Sequence, residues 1–369
     1  MRCDFDVPLD EKGNILDDFR IKKAIPTIKY LIKKQAKIIL MAHLDKPGGK
    51  KIKKFSLGPI QEKLLEYLDC SVTMANDCIG KKIEDWTYQM QAGEILLLEN
   101  LRFHKQEEEN NEKFAHKLAN LADIYLNDAF ATSHRKHASF IGIPRFLPSG
   151  IGLLFEQELK AFDKILKNPR RPLVIIIGGS KIESKIEPIN EFLEKADFVL
   201  LAGEIANTVL QLKQSSLAQI SVEKEIVDEV RTFELTNPKL KPPLDGVAAL
   251  NNGVVKEIKL TTLKKQASVF DIGPETAKLF SDIIFKAKTI FWSGPLGKVE
   301  DERFINGTLN IAKAIIKSMA FSLVGGGDTV SFLRKHNLAD KFSYVSTAGG
   351  AMLEYLSKGT LPAIEALKS

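Results

Sequence analysis

The first half of this chain sets isolated Arg and His residues with polar neighbours after its apolar runs: His43, then Asn100 and Arg102, then Asn127, Asp128 and the stretch Ser133-His134-Arg135-Lys136-His137. The second half sets glycines there instead: Gly178-Gly179-Ser180-Lys181, Gly203, Ser293-Gly294-Pro295, Gly325-Gly326-Gly327-Asp328-Thr329 and Thr347-Ala348-Gly349-Gly350. Guanidinium and imidazole groups suit phosphates and carboxylates, whereas a glycine loop opening a helix offers unpaired N–H groups and a positive dipole end to an anion. Phosphoryl transfer needs both, because it asks for two reactants in line and for positive charge around the moving group rather than for covalent chemistry. Each half therefore reads as the holder of one phosphorylated ligand.

The elements that must position these residues are short runs rich in Val, Ile and Leu, the pattern of strands buried on both faces of a parallel sheet. They are Lys37 to Met41, Glu94 to Leu98 and Asp123 to Leu126, then Leu173 to Ile177, Asp197 to Leu201, Thr289 to Trp292, Ala320 to Val324 and Phe342 to Ser346. Segments with helical spacing lie between them, such as Ile60, Leu64 and Leu68 after the cap candidate Ser56, or Phe114, Leu118 and Leu121. This alternation predicts doubly wound α/β layers, in which ligands sit beyond the carboxyl ends of the strands. The glycine and cation clusters fall at those ends.

At 369 residues the chain suits two lobes rather than one core. A composition of 44% hydrophobic and 27% charged residues is that of a globular protein, and a net charge of +6 is compatible with anionic substrates without calling for nucleic acid. The densest basic run, Lys46, Lys50, Lys51, Lys53 and Lys54, lacks interleaved aromatics and reads as a solvated loop. Cys3, Cys70 and Cys78 show no CxxC or zinc spacing, which predicts free thiols in a reducing compartment. Acidic residues at Asp4, Asp6, Asp10 and Glu11 argue against a secretory signal, and no apolar run reaches membrane-spanning length, so a cytoplasmic protein is expected. Pro148-Ser149-Gly150 marks a boundary, after which a helix from about Leu153 to Leu166 leads to Asn168-Pro169-Arg170-Arg171-Pro172; Asn237 to Asp245 reads as a loop. His134 and His137 share no accompanying acidic or cysteine ligand pattern, so a zinc site there is not expected. His104, His116 and His336 read as surface or boundary residues.

Neither a Walker A pattern nor a GxGxxG dinucleotide fingerprint is present, which leaves a nicotinamide-dependent dehydrogenase without support. Nearly the whole chain instead resembles phosphoglycerate kinase, through Arg2-Cys3-Asp4-Phe5-Asp6-Val7-Pro8, Leu97-Leu98-Glu99-Asn100-Leu101-Arg102-Phe103, Asn127-Asp128-Ala129-Phe130, His134-Arg135-Lys136-His137, Gly178-Gly179-Ser180-Lys181, Gly294-Pro295-Leu296-Gly297, Gly325-Gly326-Gly327-Asp328-Thr329 and Leu361-Pro362. The resemblance implies a monomeric glycolytic enzyme that reversibly passes the acyl phosphate of 1,3-bisphosphoglycerate to ADP with Mg²⁺, giving 3-phosphoglycerate and ATP. It implies two similar-sized parallel-sheet, Rossmann-like lobes closing about a hinge helix: residues 1–152 with 355–369 for the triose phosphate, 153–170 as hinge and linker, and 171–354 for the nucleotide. The implied triose site is Asp4, Phe5, Asp6, Arg20, His43, Leu44, Asp45, Lys46, Arg102 and Arg135, with His43 orienting Arg20 or the substrate. The implied nucleotide site is Lys185, Gly203, Gly273, Glu300, Gly326, Gly327, Asp328 and Thr329, with Asp328 on the metal. Arg20, Lys181 and Lys185 are the implied electrostatic catalysts, the two lysines four residues apart and so expected on one helical face.

Several positions depart from the family pattern. Asp6 stands for the usual Asn, Asp45-Lys46 for Gly-Arg, Glu204 for a glycine, Ser293 for Asn and Ala348 for Gly. A carboxylate at Asp6 is expected to weaken triose binding unless paired, and Glu204 to narrow the adenine pocket. These departures motivate an alternative, a catalytically weakened relative that binds a nucleotide or a partner; the presence of Arg20, Arg102, Arg135, Lys185, Glu300 and Asp328 argues against it. Arg2 also falls inside the family's first strand, so a preceding segment is expected, without which a sheet edge would be exposed.

Overall fold

The computed structural model describes residues 1–180, 185–214, 237–250, 253–260 and 268–368. They divide into two compact units, Met1–Lys160 with Thr360–Ser369, and Ala161–Gly359.

The first unit is built on a parallel sheet. Ile38–Leu40 pairs with Ile95–Leu97, which pairs in turn with Val72–Met74, in register Ile38 to Ile95 and Val72 to Ile95. A second parallel pair joins Tyr125–Asn127 to Ser149–Ile151. The two fragments become one sheet through Arg2, which bridges in parallel to both Met41 and Asn127. Its N–H donates to Leu126 O at 2.7 Å, and its carbonyl accepts from Asp128 N at 2.9 Å. Residues 1–3 thus lie in the middle of this sheet, not at the exposed edge expected from sequence. The helices Phe19–Lys33 and Gly58–Tyr67 pack their apolar stripes, including Ile21, Ile25, Ile28, Ile60 and Leu64, over Leu40, Ile95 and Leu97. Phe114, Leu118 and Leu121 belong to a second cluster with Leu96 and Leu98. Adjacent strand residues point to opposite faces, so Leu96 and Leu97 feed different cores.

Ser56 does not cap its helix as anticipated: the N-cap is Leu57, and Ser56 Oγ donates to Glu99 Oε2 at 2.7 Å. The buried Glu99 carboxylate also accepts from the N–H groups of Leu57 and Asn100, so the hydroxyl serves that acceptor instead.

The second unit carries a six-stranded parallel sheet. Its order is Tyr344–Val345, Phe321–Gly325, Thr289–Ser293, Leu173–Ile177, Phe198–Leu201 and Leu240–Lys241. The two central strands, Leu173–Ile177 and Thr289–Ser293, are buried at every residue, which is why they read as unbroken apolar runs. Leu240–Lys241 corrects the loop expected from Asn237 to Asp245: two residues pair with Val199 and Leu200 at the sheet edge. An antiparallel sheet, Val255–Lys259, Asp245–Ala249 and Ser268–Ile272, was not anticipated. Val255–Lys259 is too polar and exposed to show a buried-strand pattern.

The expected helix from Leu153 to Leu166 forms with those bounds. Its first turn is held by residues of the first unit: Leu153 N donates to Thr27 Oγ1 at 3.1 Å and Phe155 N to Asp128 Oδ1 at 3.1 Å. Of residues 355–369, expected to join the first lobe, Tyr355–Lys358 lie inside the helix Gly350–Lys358, which belongs to the second unit and packs on Ile186–Lys195, and the first unit takes the chain from Thr360. Among the described residues, no helix is long and apolar enough to cross a membrane.

Candidate active site

In the first unit the strand ends gather a continuous polar cluster. Arg20 sits at the second position of its helix, where its guanidinium turns back onto the segment after Arg2. Its Nη1 donates to Asp6 O at 2.7 Å, and its Nε lies 3.4 Å from Asp4 Oδ2. Asp4 is buried; burial pushes its carboxyl up and Arg20 opposes the shift, so the pair fixes the arginine's base while a quarter of its side chain stays exposed. Asp6 is paired as well: its Oδ1 accepts from Asp45 N at 2.8 Å, and its Oδ2 lies 3.7 Å from His43 Nε2 and 3.9 Å from Arg20 Nη1. The expected repulsion at Asp6 is thereby partly offset.

Asp45 adopts φ +57, in the left-handed region that favours glycine and that Asp tolerates better than most residues. That is why the family's glycine can be replaced here. Its carbonyl accepts from Arg102 Nη1 at 2.8 Å, and Arg102 Nε lies 3.3 Å from Glu108. Asn100 ties the same loop by donating to Leu44 O and Phe55 O at 2.8 and 2.9 Å. The structure thus brings together Asp4, Asp6, Arg20, His43, Asp45 and Arg102. Lys46 and Arg135 are exposed near the ends of their loops. Phe5 and Leu44 need correction as ligand-binding side chains: both are fully buried in the core, so only their backbone atoms remain for a ligand.

His43, His134 and His137 are all held low, the latter two at about 4 and about 3, by burial first and then by neighbouring arginines. The patch therefore keeps its charge on guanidinium groups and its imidazoles neutral. Of the two roles expected for His43, orienting Arg20 or the substrate, the second remains, because its Nδ1 is taken up by Arg2 Nη2 at 2.8 Å. Arg2 is the residue that sequence reasoning missed as part of this site. It is 1% exposed, and a buried guanidinium is costly unless its donors are met. An arginine amid the apolar residues of a strand was the available signal.

His104, expected to be an ordinary boundary residue, pairs with Asp77 at 2.5 Å, and with Cys78 they place three possible ligand atoms within 4.8 Å. The Lys51 ammonium lies 2.8 Å from the other Asp77 oxygen and supplies the positive charge there. Cys3, Cys70 and Cys78 are free thiols.

In the second unit the glycine loops meet at the carboxyl end of the six-stranded sheet. Gly294, at φ +91, follows Thr289–Ser293, and any Cβ on it would collide with the Gly178 carbonyl after the neighbouring strand. A Cβ on Gly203, at φ +67, would strike Gly179 N at 2.7 Å. Gly326 N donates to Ala348 O at 2.9 Å, so the loops after Phe321–Gly325 and Tyr344–Val345 touch too. Helices start from these loops at Gly203, Gly327 and Gly350, and at Ile186 just after Lys185. Several orphan N–H groups and positive dipole ends therefore converge on one surface.

Lys185 is the residue before its helix; Lys181, expected to share a helical face with it, lies outside the described residues. Lys185 is not a solvated lysine: it is 9% exposed, and its ammonium donates to Gly178 O at 2.5 Å. Asp328 is exposed in the first turn of Gly327–Lys335, and Glu300 is exposed in its loop. Thr329 is buried in the first turn of the same helix, and its hydroxyl accepts from Gly294 N at 3.0 Å, so it binds the loops to one another. Gly273 precedes Pro274–Ile284, whose first turn is capped by Asp245 through Glu275 N and Thr276 N at 2.9 and 2.8 Å. Glu204 is exposed in the first turn of its helix, favourable for the helix dipole.

A family model described as phosphoglycerate kinase matches residues 1–359. The chain belongs to the phosphoglycerate kinase family. It is 44% identical over 375 residues to a phosphoglycerate kinase of Borrelia garinii and 42% identical over 376 residues to one of Desulfosudis oleivorans, covering all of this chain and 95% of each relative. The solved phosphoglycerate kinases of Coxiella burnetii and Pyrococcus horikoshii superpose with TM-scores of 0.83 and 0.86 at 38% and 32% identity, again over all of this chain and 95% of theirs. Phosphoglycerate kinases are phosphotransferases with a carboxyl group as acceptor, and the expected two-lobed α/β fold and kinase class are met.

Asp271 supports the second-unit site from behind. Its carboxylate accepts from Gly307 N at 2.7 Å and Ile272 N at 2.9 Å, yet burial pushes it up to about 7. A folded value above the unfolded one means the native state holds an extra proton between about pH 4 and 7. Stability from this group is fully present below about pH 4 and is lost as pH rises toward 7, by at most about 1.4 kcal/mol per pH unit. Urea unfolding of Asp271→Asn across that window is expected to lack this component of the slope; a slope identical to that of the unsubstituted chain would show that Asp271 does not titrate there.

Proposed function

We propose that the chain is a glycolytic phosphoglycerate kinase that reversibly transfers the acyl phosphate of 1,3-bisphosphoglycerate to ADP. The observation that carries this reading is the pairing of one arginine-rich cluster with one multi-loop amide surface on separate units. In the first unit, Arg20, Arg102 and Arg135 answer the phosphate and carboxylate of the triose, with Lys46 adding charge and His43 and Asp6 shaping the pocket. In the second, Gly203 and Gly273 lie beside the base, Glu300 meets the ribose, and Lys185 with the N–H groups around Gly326 and Gly327 meets the phosphates.

The donor set fits Mg²⁺: Asp328 is an exposed carboxylate beside helix N–H groups that favour phosphate, and a hard cation takes carboxylate and phosphate oxygens together. When bound, Mg²⁺ supplies charge neutralisation to the nucleotide phosphates. Arg20 performs the corresponding task on the triose side, where its anchored fork suits the oxygens of the phosphoryl group as negative charge spreads over them. Lys185, held beside Gly178, places an ammonium at the nucleotide phosphates. A cytoplasmic monomer is the state this reading assigns. The alternative, a binding protein without turnover, is separated from it by formation of 1,3-bisphosphoglycerate from 3-phosphoglycerate and Mg-ATP.

A further inference from the structure

Beneath the triose cluster lies a buried chain of hydrogen bonds that the transfer itself does not use. Glu107 is fully buried, and its two carboxylate oxygens accept from Ser139, Oε2 from the backbone N–H at 2.9 Å and Oε1 from the hydroxyl at 2.5 Å. With its proton so committed, Ser139 Oγ accepts from Arg2 Nε at 3.0 Å. Arg2 lies over the Phe140 ring, 4.5 Å from its centroid, and its Nη1 donates to Cys3 O. Its Nη2 meets His43 Nδ1 at 2.8 Å. A guanidinium has no acceptor, so Nδ1 must accept, and the imidazole proton must reside on Nε2. That nitrogen lies toward Asp6, 3.7 Å from its carboxylate.

We propose that Glu107 and Ser139 are positioning residues that act through Arg2 to hold His43 as a neutral imidazole with its Nε2–H turned toward the triose-phosphate pocket. The inference rests on the assignment of that pocket made above. A doubly protonated His43 would set an N–H against the Arg2 donor, so the network keeps the ring a hydrogen-bond donor rather than a cation. The other charged or titratable groups around it are Arg20, Arg102 and His137, with Asp6; the three cations or potential cations also disfavour a second proton, as does burial. Glu107 matters because it orients Ser139 and balances the buried charge of Arg2, without which the guanidinium would have reason to turn away from His43.

The test is nitrogen-15 NMR of the histidine rings in the full chain, together with steady-state kinetics. The unsubstituted protein is expected to show His43 as a neutral Nε2–H ring that does not titrate between about pH 5 and 8. In Ser139→Ala, Arg2 Nε loses its acceptor, and His43 is expected to titrate or to populate the Nδ1–H form. The KM for 3-phosphoglycerate should rise about tenfold, the scale of one charged buried hydrogen bond, while kcat changes far less. Glu107→Gln, which preserves shape, is the second variant should the first fail to fold, with the same direction expected. A folded variant in which His43 keeps an untitrated Nε2–H ring would overturn the proposal. The ring signal is read without turnover, so an absence of kinase activity would count against the pocket's assignment and leave the hydrogen-bond relay separately tested.

Discussion

Arg20→Ala is expected to lower kcat by about two or more orders of magnitude, the scale of removing a preorganised donor aimed at transition-state charge. The reason lies in how the side chain is held. Arg20 is anchored at its base by the Asp6 carbonyl and the buried Asp4 carboxylate, so little reorganisation is needed when charge develops on the phosphoryl oxygens. Arg20→Lys should recover only part of the loss, because an ammonium cannot reproduce the two-pronged fork. The measurement is kcat at saturating substrates, with circular dichroism confirming the fold. Removing Arg20 also leaves Asp4 buried without its partner, so some loss of stability accompanies the catalytic defect. A folded Arg20→Ala protein that retains the unsubstituted kcat would remove this residue from the transition state.

Lys185→Ala is expected to lower kcat/KM for Mg-ATP by about 10² to 10³, with the KM for 3-phosphoglycerate nearly unchanged. Lys185 is nearly buried at the mouth of the glycine loops, where its charge is screened less by water than that of a surface lysine. Its contact with Gly178 O aims it across the loop. An equal rise in both substrates' KM values would instead mark it as a support for the fold.

The glycine loops of the second unit were legible in the sequence because glycine there answers to a hard constraint. Gly294 and Gly203 occupy positive-φ positions against a neighbouring loop's backbone, and such positions leave a visible trace. The central strands Leu173–Ile177 and Thr289–Ser293 were equally legible, being buried on both faces. What escaped was what depends on long-range contact. Val72–Met74 and Ser149–Ile151 are three-residue strands holding an exposed Thr73 and a Gly150, and they become strands only by pairing with others. The side-chain destinations of Leu44, Phe5 and Thr329 follow from tertiary packing, so a motif match places them at the site without saying that they face inward. Arg2 lies more than a hundred residues before Glu107 and Ser139 in the first unit, and no local pattern announces that they form one network.

The most direct measurement is a coupled assay in which purified full-length chain, Mg²⁺, ATP and 3-phosphoglycerate are followed through 1,3-bisphosphoglycerate formation by NADH oxidation. The account predicts a signal that requires all three reactants and is abolished by chelating the metal. Saturable binding of both 3-phosphoglycerate and ATP to well-folded protein with no NADH oxidation would contradict it.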